Sequence, residues 1–96
     1  MLHLISQSPI DTAILARISP GDDVVCLDNA VLNLLQTGRL HPVLTALLEH
    51  NRISALQPDL DCRGISADEL LDGIAVISYH DLVALTVQHP HIITWS

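Results

Sequence analysis

Two cysteines, six histidines and a scatter of carboxylates are the side chains in this 96-residue sequence equipped for chemistry. Cys62 is the first to weigh. It stands in Pro58-Asp59-Leu60-Asp61-Cys62-Arg63-Gly64, directly after an apolar run. The thiolate is the reactive form of cysteine; a neighbouring Arg63 favours it, whereas Asp59 and Asp61 oppose it. Cys62 also falls late in a turn, away from any helix start, so a semi-buried packing cysteine is the better expectation. Cys26 lies inside the apolar run Val24–Leu27, where burial raises a thiol pKa and makes it inert.

The histidines do not form a metal-binding pattern. His89-Pro90-His91 has a single, stiff residue between its imidazoles, and His3, His41, His50 and His80 are scattered. Ser78, His80 and Asp81 lie close in sequence, but at a helix start they point in different directions and cannot converge as a triad. Ser78 with Asp81 three residues on reads instead as a capping box. Ser6-Gln7-Ser8 before a helix would suit a phosphate, yet Pro9 removes a donor and Asp11 adds negative charge. No Gly-rich phosphate motif is present. The residues point to no catalytic site, no cofactor and no metal.

These side chains must be held by elements the pattern makes plain. Leu2–Ile5, Val24–Leu27, Ile53–Leu56 and Ile74–Ser78 are short apolar runs without alternation, as in strands buried on both faces of a parallel sheet. His91–Trp95 reads as a fifth strand. Helices are predicted over Thr12–Ile18, capped by Ser8 or Asp11, over Ala30–Leu35, over Val43–His50 after Pro42, and from Tyr79 to the stop at Pro90. Pro58 starts a short helical turn that Gly64 ends. The expected fold is a small α/β three-layer sandwich over residues 1–96, flavodoxin-like, with a mainly parallel five-stranded sheet.

Composition narrows the function further. Hydrophobic residues make up 49% and charged residues 16%, against about 25% charged in an ordinary soluble domain. So many aliphatics with so few charges imply apolar surface covered by a partner. The net charge is −7, with no lysine, which argues against direct contact with nucleic acid or an anionic membrane. No apolar stretch reaches the roughly 18 residues of a membrane span, and Met1–Pro9 lacks the basic start of a secretory signal. A cytoplasmic protein with reduced thiols is expected.

Taken in order, the residues resemble the TusB/DsrH family. The resemblance opens at Met1-Leu2-His3 with the Ser8-Pro9 turn and continues through Gly21-Asp22 and Asp59-Leu60-x-x-Arg63-Gly64. It closes on Ile77-x-Tyr79-x-Asp81-Leu82-Val83-x-Leu85-Thr86-Val87 and Trp95. Members have a small flavodoxin-like fold and assemble with TusC-like and TusD-like subunits into a heterohexamer that relays persulfide sulfur. A TusA-like donor and a TusE-like acceptor stand on either side of that complex. In the Tus system the sulfur ends as 2-thiouridine at the tRNA wobble position; in the Dsr system it serves sulfur oxidation. The persulfide-bearing cysteine belongs to the TusD/DsrE-like subunit. Matched on Arg63-Gly64, its position here falls close to Leu56, not Cys62. The Thr12–Ile18 segment also lacks the cysteine of some DsrH-type members, and Asn29-Ala30 replaces a usual Asp-Gly, so TusB is the nearer pattern.

The resemblance implies a non-catalytic subunit whose partner contacts include Tyr79, Asp81, Leu82 and Trp95. The alternatives are a persulfide carrier using Cys62 and a DsrH-like subunit of sulfur oxidation. The charge balance yields a first prediction. In a filter-binding assay at ~0.15 M salt, the isolated protein binds tRNA no better than an acidic control. Micromolar binding that weakens steeply with salt would contradict it.

Overall fold

Aliphatic runs too short for helices and bounded by turn residues become strands here, and the computed structural model describes all 96 residues, Met1–Ser96. The strands are β1 (Leu2–Ile5), β2 (Asp23–Cys26), β3 (Arg52–Leu56), β4 (Ala75–Ile77) and β5 (Ile92–Trp95). They form one all-parallel sheet in the order β4-β3-β2-β1-β5. The helices are α1 (Thr12–Leu15), α2 (His41–Leu48), α3 (Gln57–Cys62) and α4 (Tyr79–Gln88). This is the predicted α/β sandwich.

Three local expectations need correction. The Ala30–Leu35 segment is not α-helical but a 3-10 stretch over Asp28–Leu34. Asn33 offers one reason: its side-chain amide donates to the Ala30 carbonyl, competing with the helix ladder, while its side-chain oxygen ties the segment to the Ile10 N–H. The first helix ends at Leu15 rather than Ile18, although Ile18 is still buried. The run around Ala75–Ile77 is not a strand buried on both faces. It lies at the sheet edge, and all three residues are half-buried.

The two sheet faces are covered unequally. On one face α1, the 3-10 stretch, α2 and α3 pack over Ile5, Val24, Cys26, Ile53 and Ala55, forming a cluster of 18 buried residues. On the other, only α4 lies across the sheet, and the buried cluster is Leu2, Val25, Leu56, Leu82 and Leu85. Parity along each strand explains the division, since alternate residues face opposite ways. Capping fixes where α4 begins. Ser78 Oγ accepts from the Asp81 N–H at 3.1 Å and the Asp81 carboxylate accepts from the Ser78 N–H at 3.0 Å. These bonds from Ser78 hold the Asp81 carboxyl below its ordinary pKa.

One polar residue enters the larger core. His3 is 1% exposed and uses both ring nitrogens. Trp95 Nε1–H, which can only donate, reaches His3 Nδ1 at 3.2 Å; the ring proton therefore sits on Nε2, which donates to Asp22 Oδ2 at 2.9 Å. The His3 and Trp95 rings lie nearly parallel, 10° apart, and the Arg17 guanidinium sits 5.9 Å from the Trp95 ring centroid. Asp22 also accepts from the Ser19 N–H at 3.0 Å and from the Met1 ammonium at 3.3 Å. His89 pairs with the adjacent Asp23 at 2.7 Å.

Partial burial works against ionisation of Asp22, but the bonds from His3, the Ser19 amide and the terminal ammonium outweigh it and depress its pKa. A depressed carboxyl stabilises the fold above the usual carboxylate range, and that stability is lost as pH falls through the folded value. Asp22→Asn is therefore expected to cost about 1–2 kcal/mol at pH 7. Urea denaturation at pH 7 and pH 3 checks this, with the difference from wild type shrinking on the acid side. An equal difference at both pH values would contradict it.

Candidate functional sites

The chain after β2 and β3 forms the loops beyond the carboxyl ends of the central strands, the usual place for chemistry in an open parallel sheet. Here those loops are tied together by charge. Asp28 adopts a positive φ of 51°, a conformation that Asp tolerates better than most residues. Its N–H donates to Asp59 Oδ2 at 2.8 Å. Arg63, carried just past α3, donates from Nε and Nη2 to Asn29 Oδ1 at 3.1 and 2.8 Å, and from Nη1 to the Asp59 carbonyl at 3.0 Å. Asp28 lies 3.5 Å from the same guanidinium. Asn29, one of the positions that departs from the family pattern, is thus the main acceptor for Arg63.

The two thiols lie in different settings. Cys26, on β2, is fully buried, and burial pushes its thiol up to about 12. Cys62 closes α3 and is exposed, not semi-buried as its sequence context predicts. The helix turns Leu60 into the core and leaves Cys62 outside. Arg63, the neighbour that would favour a thiolate, directs its donors to Asn29 and Asp59 instead. Leu56, the position matched to the sulfur carrier, is 6% exposed and packs under α4.

Ser78 and Asp81 form the α4 capping box that their spacing predicts, and do not converge with His80 on a triad. His3 and His89, scattered in sequence, each pair with an aspartate instead of meeting one another. No three His, Cys, Asp or Glu side chains converge as metal ligands. Ser6-Gln7-Ser8 borders an open cleft of about 700 Å³ lined also by Pro9, Asp11 and Arg39. Its polar groups are partly spent, since Gln7 Oε1 accepts from the Asp11 N–H and Asp11 caps α1.

The remaining candidates lie on or beside α4. Tyr79 is 65% exposed, whereas Leu82 is buried against the sheet and Trp95 is half-buried in the His3 network. Tyr79, Val83 and Val87 recur every four residues and form an exposed row, Val87 being 82% exposed. Ile92 of β5 is exposed as well, and its partner in register is Leu2, one of the residues beneath α4. Val83 and Val87 belong to the motif that carries the resemblance, but neither they nor Ile92 are expected from the sequence to stand at the surface. The i, i+4, i+8 spacing was visible, but which face of α4 stays outside was not. A second cleft, of about 350 Å³, lies between α4 and strands β3 and β4. No helix is long and apolar enough to cross a membrane.

Known proteins were compared with this chain and this fold. A family model described as "DsrH like protein" matches residues 7–92. Protein TusB of Pectobacterium parmentieri is 33% identical, and Protein TusB of Sodalis glossinidius (strain morsitans) is 40% identical; each alignment covers 99% of this chain and 100% of the relative. Among solved structures, the ychN protein of E. coli superposes with a TM-score of 0.80 at 15% identity, covering 98% of this chain and 97% of that one. The protein of unknown function MTH1491 from Methanobacterium thermoautotrophicum gives 0.79 at 20% identity, over 97% and 95%. These structural likenesses speak to the fold alone.

The two thiols give a direct test. Iodoacetamide is expected to label Cys62 in the native protein within minutes and to leave Cys26 unlabelled until denaturant is added, as mass spectrometry of the digest would read. Native labelling of Cys26 at a comparable rate would refute its burial.

Proposed function

The chain belongs to the family of DsrH-like proteins, and from that premise we propose that it is a TusB-like, non-catalytic subunit of a sulfur-relay complex. The reading rests chiefly on the likeness to TusB proteins, which spans 99% of this chain and the full length of each relative. In this reading the subunit assembles with TusC-like and TusD-like chains into a cytoplasmic heterohexamer. Persulfide sulfur passes from a TusA-like donor through the TusD-like cysteine to a TusE-like acceptor, and ends in 2-thiolation of the tRNA wobble uridine.

The thiols fit an accessory role. Cys26 is sealed in the core, and Cys62 lies exposed at the end of α3 while the neighbouring Arg63 guanidinium is turned to Asn29. Its exposure is nevertheless the observation that favours the rival reading, a persulfide carried on Cys62. The α4 side supplies the assembly surface. Tyr79, Val83, Val87 and Ile92 present apolar area that a soluble monomer ordinarily covers. Asp81 and Trp95 act behind that surface, as the helix cap and as the anchor of β5. Leu82 supports it from below, so its truncation would cost about 2–5 kcal/mol of fold stability rather than report on binding.

Co-expression with TusC-like and TusD-like chains, followed by light scattering, is expected to give the heterohexamer. Tyr79→Glu combined with Val83→Glu should weaken association about tenfold or more while leaving the isolated subunit folded. The Cys26→Ser, Cys62→Ser double variant should still support tRNA thiolation in a strain lacking the native gene. Loss of thiolation with assembly intact would establish the Cys62 carrier instead.

A further inference from the structure

Two buried clusters hold the sheet, and they are unequal. The five-residue cluster takes Leu82 and Leu85 from α4, which lays them over Leu2, Val25 and Leu56. The 18-residue cluster on the other face draws only the half-buried Trp95 from the chain after β4. The polar bonds of α4 are internal. Ser78 and Asp81 cap its start, and Thr86 Oγ1 donates to the Val83 carbonyl. No side-chain hydrogen bond or ion pair joins residues 78–88 to the rest of the fold.

The fastening begins at His89, the residue that ends α4 and leads into β5. His89 Nε2 lies 2.7 Å from Asp23 Oδ2 at the start of β2, and both side chains are half-buried. Trp95, at the far end of β5, works on the opposite face. Its Nε1–H donates to His3, and His3 donates to Asp22. Consecutive residues of an extended chain point opposite ways, so Asp22 serves the larger core and Asp23 the α4 side. Between these two fastenings β5 pairs with β1 alone.

We propose that residues 78–96, α4 together with β5, open and close as one unit, a strap fastened at His89 on one face and at Trp95 on the other. A region held by few buried apolar contacts opens at a lower free energy than the core of the same protein. Only Pro90 and His91 separate His89 from β5, so a displaced α4 pulls on the strand and a freed β5 leaves His89 untethered. Opening bares Leu2, Val25 and Leu56 and turns β1 into an exposed edge, while the larger cluster keeps every one of its buried members. The strap carries the row Tyr79, Val83 and Val87, so a chain docked there would bind the closed form and oppose the opening. The opening itself belongs to the chain alone and needs no partner.

Native-state hydrogen exchange on the full chain, read amide by amide by NMR, tests this. The bonded amides of α4 and β5 are expected to share one level of protection, at least about tenfold below the amides of β2 and β3. The Ser6 N–H, bonded to the Trp95 carbonyl, should exchange with the strap, whereas the Leu27 N–H, bonded to the Ile5 carbonyl, should exchange with the core. His89→Ala and Trp95→Phe each remove one fastening and should speed α4 and β5 alike, about fivefold. Core amides exchange through global unfolding, which also breaks the fastening, so they should follow by the same factor. Ile53→Val in the larger cluster separates the two openings: it should speed β2 and β3 about fivefold and leave α4 and β5 unmoved. Protection of α4 and β5 equal to that of β2 and β3 would overturn the strap. So would His89→Ala moving α4 without β5, or Trp95→Phe moving β5 without α4, since either shows two separate openings. Should Trp95→Phe unfold the chain, His89→Ala and Ile53→Val still decide.

Discussion

A parallel sheet has two faces to remove from water, and 96 residues are too few to cover both well. This chain spends three helices and a 3-10 stretch on one face, where the large aliphatic cluster forms. The other face receives α4 alone. What is left open there, the row on α4, Ile92 of β5 and the cleft beside β4, is the apolar area that the low charge content implies. The proposed need for partner subunits follows from this imbalance, because a second chain can supply the missing layer without lengthening the first.

The amino ends of the strands are organised by a different rule. A histidine in the core is tolerable only if both ring nitrogens are paired, and Trp95 and Asp22 do this for His3. The chain of contacts from the Met1 ammonium through Asp22, His3 and Trp95 to Arg17 links central β1 with edge strand β5. Such a network is stabilising when complete and costly when one member is lost. Edge strand β5 is thereby fastened to β1 by side-chain contacts as well as by the sheet ladder.

At the opposite, carboxyl ends of the strands, the groups with chemical potential bind one another. Arg63 is occupied by Asn29 and the Asp59 carbonyl, and Asp59 holds the strained backbone of Asp28. Cys26 is buried and Cys62 is exposed. At the position where open parallel sheets often do chemistry, Arg63, Asn29 and Asp59 bond to one another, which supports the accessory role proposed above.

Much was legible in the sequence because it depends on neighbours along the chain. Apolar runs without alternation marked the strands of a parallel sheet, Pro and Gly marked the turns, and the Ser78–Asp81 box is an i, i+3 contact that needs no tertiary context. The burial of Cys26 followed from its apolar run. What depended on packing did not follow. An apolar run reads the same at an edge as at the centre, so the sequence does not tell the half-buried edge strand Ala75–Ile77 from one buried on both faces. Helical periodicity displayed two rows on α4 but not which would meet the sheet, and Cys62 was misjudged for the same reason on α3. His3 meets Asp22 and Trp95 across 19 and 92 residues, and Ser54 becomes a buried hydroxyl only when β4 and α4 close around it. Sequence specifies which elements form because their hydrogen bonds and caps are local; only the docking of α4 and β5 decides which polar groups meet and which apolar side chains stay exposed.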